Sequence, residues 1–163
     1  MCYSHSIDQR NHEDAMPKKL SWIIPADKGQ GAGLEKNNCA VRAVANATGK
    51  EYSIVHATMQ SNGRKHGKGT PWKTISTVHN IFGLSIIGVF GSTKTSKQLK
   101  RLFFNDVENK KGITIERFIK ENQKGKFIVG IRGHNTTIID GKLIDSHSIN
   151  GASSVLVAWK YED

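Results

Sequence analysis

The chain has 163 residues, 37% of them hydrophobic, and carries 24 Lys and Arg against 14 Asp and Glu, a net charge of +10. This length suits one domain with one core, and no stretch approaches the roughly 20 apolar residues of a membrane-spanning helix. The positive charge favours acidic partners such as nucleic acid or an acidic protein surface, although lysines in turns and on helix faces also serve solubility.

The N-terminal part is expected to lie outside the folded domain. Residues 1–19 are polar and mixed in charge, which predicts a flexible tail before a single domain at residues 20–163. The N-terminus lacks the basic-then-apolar pattern of a secretory signal, so we expect a cytoplasmic protein. In that reducing compartment Cys2 and Cys39 should not form a disulfide. The seven histidines have no paired ligand spacing, so neither a metal nor another cofactor is expected.

The first half of the domain is predicted to be mainly helical. An apolar run at residues 20–25 indicates an edge strand, and a glycine-rich loop follows it. Small apolar residues with helical spacing predict a buried helix over residues 39–48, with Asn38 as its side-chain cap and Gly49 at its end. The remaining elements predicted here are helices at residues 53–59, 72–82 (after a Thr70-Pro71 cap), 95–103 and 113–122, and a strand at 84–90.

The C-terminal part is predicted to form β-structure. Strands are expected at residues 127–132, 134–139, 142–145 and 154–159. Asp140-Gly141 is a favoured two-residue hairpin turn between the second and third of these strands. Helices followed by antiparallel strands, with one strand between the helices, indicate an α+β fold.

Three side chains in this frame suit thiol chemistry. Cys39 opens a helix, where the partial positive charge of the N-terminus favours the thiolate. His134 begins a strand after Gly133, where backbone can approach closely. Asp145 ends the same hairpin within about two residues of direct pairing with His134, so its carboxylate can orient the imidazole. The pattern predicts a Cys-His-Asp site, whereas each residue taken singly is also typical of a core or turn position.

A hydrolase of this kind also needs N–H donors for the oxyanion. The backbone N–H of Cys39 is one candidate, and the side-chain amides of Gln30, Asn37 and Asn38 are candidates for a second. If Asn38 serves as the helix cap, Gln30 and Asn37 remain as candidates for the second oxyanion donor. The basic loop at residues 63–69 either borders the cleft, where it would favour an acidic substrate, or is simply a solvated loop.

At three stretches the chain resembles the papain-like cysteine peptidase superfamily, and in particular small papain-like proteins carried by bacteriophages. They are residues 38–49, 67–70 and 133–146. The resemblance implies a papain-like fold, in which the Cys39 helix packs on a C-terminal antiparallel sheet, with Cys39 as nucleophile, His134 as base and Asp145 as the orienting group. One departure concerns the oxyanion glutamine, which these enzymes usually carry about six residues before the cysteine; that position is glycine, and Gln30 lies nine before Cys39.

The function expected from this pattern is a cysteine peptidase or isopeptidase that cleaves an amide or thioester in the cytoplasm of a host bacterium. A transferase on the same three residues is an alternative, since another nucleophile can replace water. Another is a non-catalytic papain-like protein that binds and inhibits a host enzyme or defence system. A nucleic-acid-associated accessory protein is the last, although no aromatic residues interleave the basic ones. The expected partner is a protein or peptide, acidic if the basic loop contacts it, and no membrane is expected.

Overall fold

The computed structural model describes residues 35–163. The predicted tail at residues 1–19, the predicted strand at 20–25 and Gln30 lie outside the described residues. The helices are α1 (Cys39–Thr48), α2 (Tyr52–Ser61), α3 (Trp72–Ile81), α4 (Lys94–Phe103) and α5 (Ile115–Glu121). The strands are β1 (Leu84–Phe90), β2 (Asn109–Lys110), β3 (Lys126–Ile131), β4 (His134–Ile139), β5 (Lys142–Ile144) and β6 (Val157–Tyr161).

The described strands form one six-stranded mixed sheet with the order β2-β1-β6-β3-β4-β5. The neighbours β1 and β2 are parallel, and all other neighbouring pairs are antiparallel. The strand that is last in the chain therefore lies in the middle of the sheet. Its partner β3 continues into the β3–β4 hairpin, which carries His134 at the start of β4.

Helix α1 lies against β4 and β3 because its side chains are small enough to bring the helix close to the sheet. The Thr137 hydroxyl on β4 donates a buried hydrogen bond of 3.1 Å to the Ala43 carbonyl oxygen, which fixes the helix over that strand. Gly49 ends the helix in the left-handed region at φ 70°, and its N–H bonds the Ala45 carbonyl at 2.9 Å. The buried residues of α1 are Ala40, Val41, Ala43, Val44, Ala45 and Ala47.

Apolar side chains cover both faces of the sheet. One core lies between helices α1–α4 and the sheet and is centred on Trp159, whose ring stacks with Trp72 and meets Phe104 edge to face. The other core lies under α5, where the Phe118 ring meets Phe127 edge to face at a centroid distance of 5.6 Å. Because both faces are covered, β3 is buried along nearly its whole length.

The α+β class is confirmed by five helices and a mixed sheet in the described residues. Strands 84–90 and 134–139 were predicted at their observed bounds, and Asp140 and Gly141 form the predicted turn with φ values of 46° and 72°. The C-terminal strands pair antiparallel as expected, whereas β2, which the sequence did not predict, pairs parallel to β1 and makes the sheet mixed. The last strand begins at Val157 rather than residue 154, since Ser154 instead forms an isolated bridge with Thr114.

Neither predicted side-chain N-cap forms, because each capping oxygen accepts from another side chain; for Asn38, Oδ1 accepts from Arg42 Nε at 3.1 Å. Asn38 occupies the N-cap position of α1 without a side-chain capping bond; its Nδ2 donates to the Tyr52 hydroxyl. Pro71 is the N-cap of α3 rather than its first helical residue, and the Thr70 hydroxyl accepts a bond from Arg64 Nε. At both positions a bond between side chains has replaced the side-chain-to-backbone cap that the sequence pattern indicates.

Candidate active site

Cys39 is the first residue of α1 and lines an open cleft of about 470 Å³. The N–H groups of the first helical turn have no carbonyl partner within the helix, so a negative charge is favoured there. The His134 side chain lies close enough to the thiol to lower its pKa. The helix N-terminus and the β3–β4 turn thus bring together two residues that lie far apart in the chain.

His134 is held by a carboxylate on the side away from the thiol. Its Nε2 atom lies 2.7 Å from Asp145 Oδ2. Because Nε2 bonds the carboxylate, Nδ1 is the ring nitrogen left to exchange a proton with Cys39. The His134 side chain is only 19% exposed, which limits the ring to a narrow range of orientations.

Asp145 follows β5 directly and is buried. One carboxylate oxygen accepts from His134, and the other accepts from the backbone N–H of His147 at 2.9 Å. These bonds hold the carboxylate ionised and aimed at the ring. The structure thus brings together all three residues that the sequence predicted for the catalytic group.

The charges of the three groups support one another. Burial raises the pKa of the Cys39 thiol, but hydrogen bonds from His134 and the Asn135 N–H outweigh it and leave that pKa below its ordinary value. Burial lowers the pKa of His134, but its bonds to Asp145 and Cys39 outweigh this and raise that pKa to about 10. Burial also raises the pKa of Asp145, yet the bond to His134 keeps it below its usual range. The lowered pKa of Cys39 and the raised pKa of His134 both favour a thiolate–imidazolium pair.

The predicted oxyanion residues that the structure describes all line the cleft. Asn37 lies in the left-handed region at φ 58°, and its Nδ2 donates to the Gly67 carbonyl oxygen at 3.0 Å. The buried Asn38 donates from Nδ2 to Tyr52. Gly133 is exposed, and its φ of 72° favours glycine. Since both asparagines already make structural bonds, the backbone N–H groups at the start of α1 are the better placed donors.

Glu35 forms a buried hydrogen-bond centre beside the cleft that the sequence analysis missed. Its carboxylate is 2% exposed and accepts from Arg64 Nη1 at 2.9 Å, the Gly67 N–H at 2.7 Å and the Tyr52 hydroxyl at 3.0 Å. His56 Nε2 lies 2.7 Å from the same group. Burial raises the pKa of Glu35, but the Gly67 and Arg64 bonds lower it to about 2. This centre ties α2 and the basic loop to the segment that enters α1.

The Glu35 centre changes the interpretation of the basic loop at residues 63–69. Arg64 is 3% exposed and paired with Glu35, so it does not face a substrate. Glu35, His56 and His66 also form the one group of potential metal ligands within residues 35–163. Because Arg64, Gly67 and Tyr52 already donate to the carboxylate oxygens, we interpret this group as a structural hydrogen-bond centre.

His147 is a second cleft residue that the sequence analysis missed. Its side chain is 75% exposed, and its ring centroid lies 6.0 Å from that of His134. Its Nδ1 lies 3.0 Å from the Ser146 hydroxyl. The last pair in the β4–β5 ladder is Thr137 with Ile144, and three further steps along each strand place His147 opposite His134. This register is the signal that could have identified His147 from the sequence.

Comparison of the chain with known protein families, curated proteins and solved structures found no match. Within the described residues, no helix is both long and apolar enough to cross a membrane. The function is therefore inferred from the geometry and chemistry of this chain's own residues.

Proposed function

We propose that this chain is a papain-like cysteine hydrolase, a peptidase or isopeptidase with Cys39 as nucleophile, His134 as general acid and base, and Asp145 as the orienting carboxylate. The observation that carries the proposal is the position of His134, which bonds Asp145 at an Nε2–Oδ2 distance of 2.7 Å and lies close enough to the Cys39 thiol to lower its pKa. The packing of α1 on the antiparallel strands β3 and β4 supports the papain-like comparison.

The reaction starts from the thiolate–imidazolium pair. The Cys39 sulfur attacks the carbonyl carbon of an amide or thioester, and the developing oxyanion lies near the first N–H groups of α1. The carbon–sulfur bond forms as the bond to the leaving group breaks, and the His134 imidazolium gives its proton to the departing amine or thiolate. Asp145 stays ionised and holds the ring in place.

Water completes the cycle. Neutral His134 removes a proton from a water molecule, which attacks the acyl carbon and releases the carboxylic acid and the Cys39 thiolate. The reprotonated His134 restores the starting pair. An amine or thiol in place of water would give a transferase with the same residues, and this alternative stays open.

The first test measures the thiolate directly in a Cys2→Ser protein, where Cys39 is the only thiol of a chain with two cysteines. Iodoacetamide at pH 6 should label Cys39 about tenfold or more faster than glutathione, because only the thiolate reacts. His134→Ala should remove this advantage. His66→Ala is the matched control, since it removes an exposed imidazole of the basic loop that pairs with Glu35. Slow labelling that is equal in all three proteins would contradict the proposal.

The second test asks whether the reactive thiol hydrolyses a substrate. A mixed library of peptide amides is incubated with the protein and with Cys39→Ala, and both cleavage products and an acyl adduct on Cys39 are sought by mass spectrometry. Cleavage that depends on Cys39 is expected. A reactive thiol with no cleavage across the library would favour the non-catalytic binding protein instead.

A further inference from the structure

Helix α4 carries a stripe of positive charge on its exposed face. Lys94, Lys97 and Arg101 follow one another at intervals of three and four residues, with Gln98 between them, so all four lie on one side of the helix. The opposite side buries Ser96 and Leu99. The helix contains no acidic residue. Like charges at these spacings destabilise a helix. The stripe therefore lowers the stability of α4, and helix formation does not account for its presence.

A cavity of about 530 Å³ connects this stripe to the β3–β4 turn. Lys94 lies on one side of it and Arg132 on the other, and no carboxylate or aromatic residue lines it. Arg132 is exposed and comes directly before Gly133, which lines the thiol cleft with His134. Both cavities therefore reach the β3–β4 turn, one through Arg132 and the other through Gly133.

The positive charges of this surface have no ion-pair partner within residues 35–163. None of the ion pairs there involves Lys94, Lys97, Arg101 or Arg132. Helix α5 shows the contrast, because Lys120 pairs with Glu116 four residues earlier. We call the surface formed by these four basic residues the basic groove: Lys94, Lys97 and Arg101 on α4, and Arg132 in the β3–β4 turn.

We propose that the basic groove binds an acidic segment of a polypeptide whose continuation enters the Cys39–His134 cleft. This inference rests on the proposed function, since it names the class of substrate for that site. Glutamate and aspartate side chains match the fork of Arg101 and Arg132 and the point charges of the lysines. A single-stranded nucleic acid fits less well, because its bases are usually stacked on aromatic side chains and none lines the groove.

The test compares two double variants with the same change in charge. Lys97→Glu with Arg101→Glu reverses the groove, whereas Lys124→Glu with Lys142→Glu reverses two exposed residues at the opposite end of the β3–β4 hairpin. Fluorescence anisotropy measures binding of a labelled 20-residue polyglutamate. We expect the groove variant to weaken binding about tenfold or more and the control by about twofold or less. Circular dichroism melts check that both variants fold.

Three results would overturn the inference. Equal weakening in both variants would mean that net charge alone is responsible for binding. The absence of polyglutamate binding to the wild type at low salt would mean that the groove does not bind an acidic polypeptide. Tighter binding of a labelled single-stranded 20-nucleotide DNA than of polyglutamate, with the larger loss in the groove variant, would identify a nucleic-acid surface instead.

The same proteins separate this inference from the hydrolase proposal. Polyglutamate binding should persist in Cys39→Ala, because the groove does not include the thiol. Saturating polyglutamate should slow iodoacetamide labelling of Cys39 in the wild type and not in the groove variant. An unreactive Cys39 together with groove-dependent polyglutamate binding would contradict the hydrolase proposal alone. A reactive Cys39 whose iodoacetamide labelling is not slowed by polyglutamate would contradict the substrate inference alone.

Discussion

His134 Nε2 lies 2.7 Å from Asp145 Oδ2, although the two residues are not opposite each other in the β4–β5 ladder. The last registered pair there is Thr137 with Ile144. One further step places Asp145 opposite Thr136, so its carboxylate reaches His134 diagonally on the same face of the hairpin. The turn at Asp140 and Gly141 sets this register and so fixes which histidine the carboxylate orients.

Replacing Asp145 by Asn keeps the shape of that contact and removes its charge. The pKa of His134 should fall and the pKa of Cys39 should rise, because the imidazolium loses its main stabilising partner. Iodoacetamide labelling of Cys39 at pH 6 should slow by about tenfold. Asp140→Asn, which changes an exposed carboxylate at the other end of the hairpin, is the control; equal slowing in the two variants would contradict a role for Asp145.

The pH dependence of labelling should distinguish an ion pair from an ordinary thiol. The lowered pKa of Cys39 and the raised pKa of His134, about 10, place the ion pair between these two values. Wild-type labelling should therefore rise less steeply from pH 6 to pH 8 than labelling of a variant without the imidazole. In His134→Ala the rate should rise about tenfold per pH unit over that range, as expected for an unassisted thiol. Parallel curves for the two proteins would refute the pairing.

Glu35→Gln should destabilise the protein at neutral pH. The change leaves the buried Arg64 guanidinium without its carboxylate, which typically costs about 3 kcal/mol or more. The pKa of Glu35 is about 2 when folded against 4.5 ordinarily, so its contribution is complete above pH 4.5 and is lost as the pH falls from 4.5 towards 2.

Urea unfolding at pH 7 and pH 3 measures both effects of that change. The gap between wild type and Glu35→Gln should narrow at pH 3. Glu51→Gln, at an exposed glutamate before α2, should change the free energy of unfolding by less than about 0.5 kcal/mol. A Glu35 variant as stable as this control would show that the centre contributes little.

His79 should make the protein sensitive to mild acid. It is 1% exposed, meets Trp159 edge to face at 4.4 Å, and neither ring nitrogen has a hydrogen-bond partner. Burial lowers the pKa of His79 to about 3 from 6.5. The folded state thus keeps the ring neutral while the unfolded state takes up a proton below pH 6.5, so stability falls as the pH drops from 6.5 towards 3.

His79→Leu should remove this sensitivity. Between pH 7 and pH 4.5 the wild type should lose about 3 kcal/mol more stability than the variant. The reason is that pH 4.5 lies about two units below the ordinary pKa of histidine, so the unfolded state is stabilised by protonation of His79. The variant should also be at least as stable at pH 7, because two unpartnered nitrogens leave the core. Urea unfolding curves at the two pH values give both numbers, and equal pH slopes for the two proteins would rule out this origin.

Much of the candidate site could be predicted because its signals are local. A helix that begins at Cys39, a glycine before His134 and a two-residue turn before Asp145 are each visible within a few residues of sequence. The Glu35 centre could not be predicted, since its partners come from α2 and the basic loop and share no spacing. The Asn38 cap failed for a different reason, because Arg42, four residues along the same helix, donates to the Oδ1 atom that would have capped it.

The sheet order was also beyond local patterns. The apolar run that became β6 indicates a strand, but its place between β1 and β3 depends on burial of Trp159 between α3 and α4. Strand β2 has only two residues, Asn109 and Lys110, and neither has strong β-propensity. Its parallel pairing with β1 comes from the path of the chain after α4.

The position of β6 determines when the six-stranded sheet can become continuous during synthesis. Before residues 157–161 emerge from the ribosome, β1 and β3 belong to two separate ladders, each with an open edge where β6 will pair. Such edges recruit strands from other chains. A nascent or truncated product that ends before Val157 should therefore aggregate instead of settling into a smaller sheet.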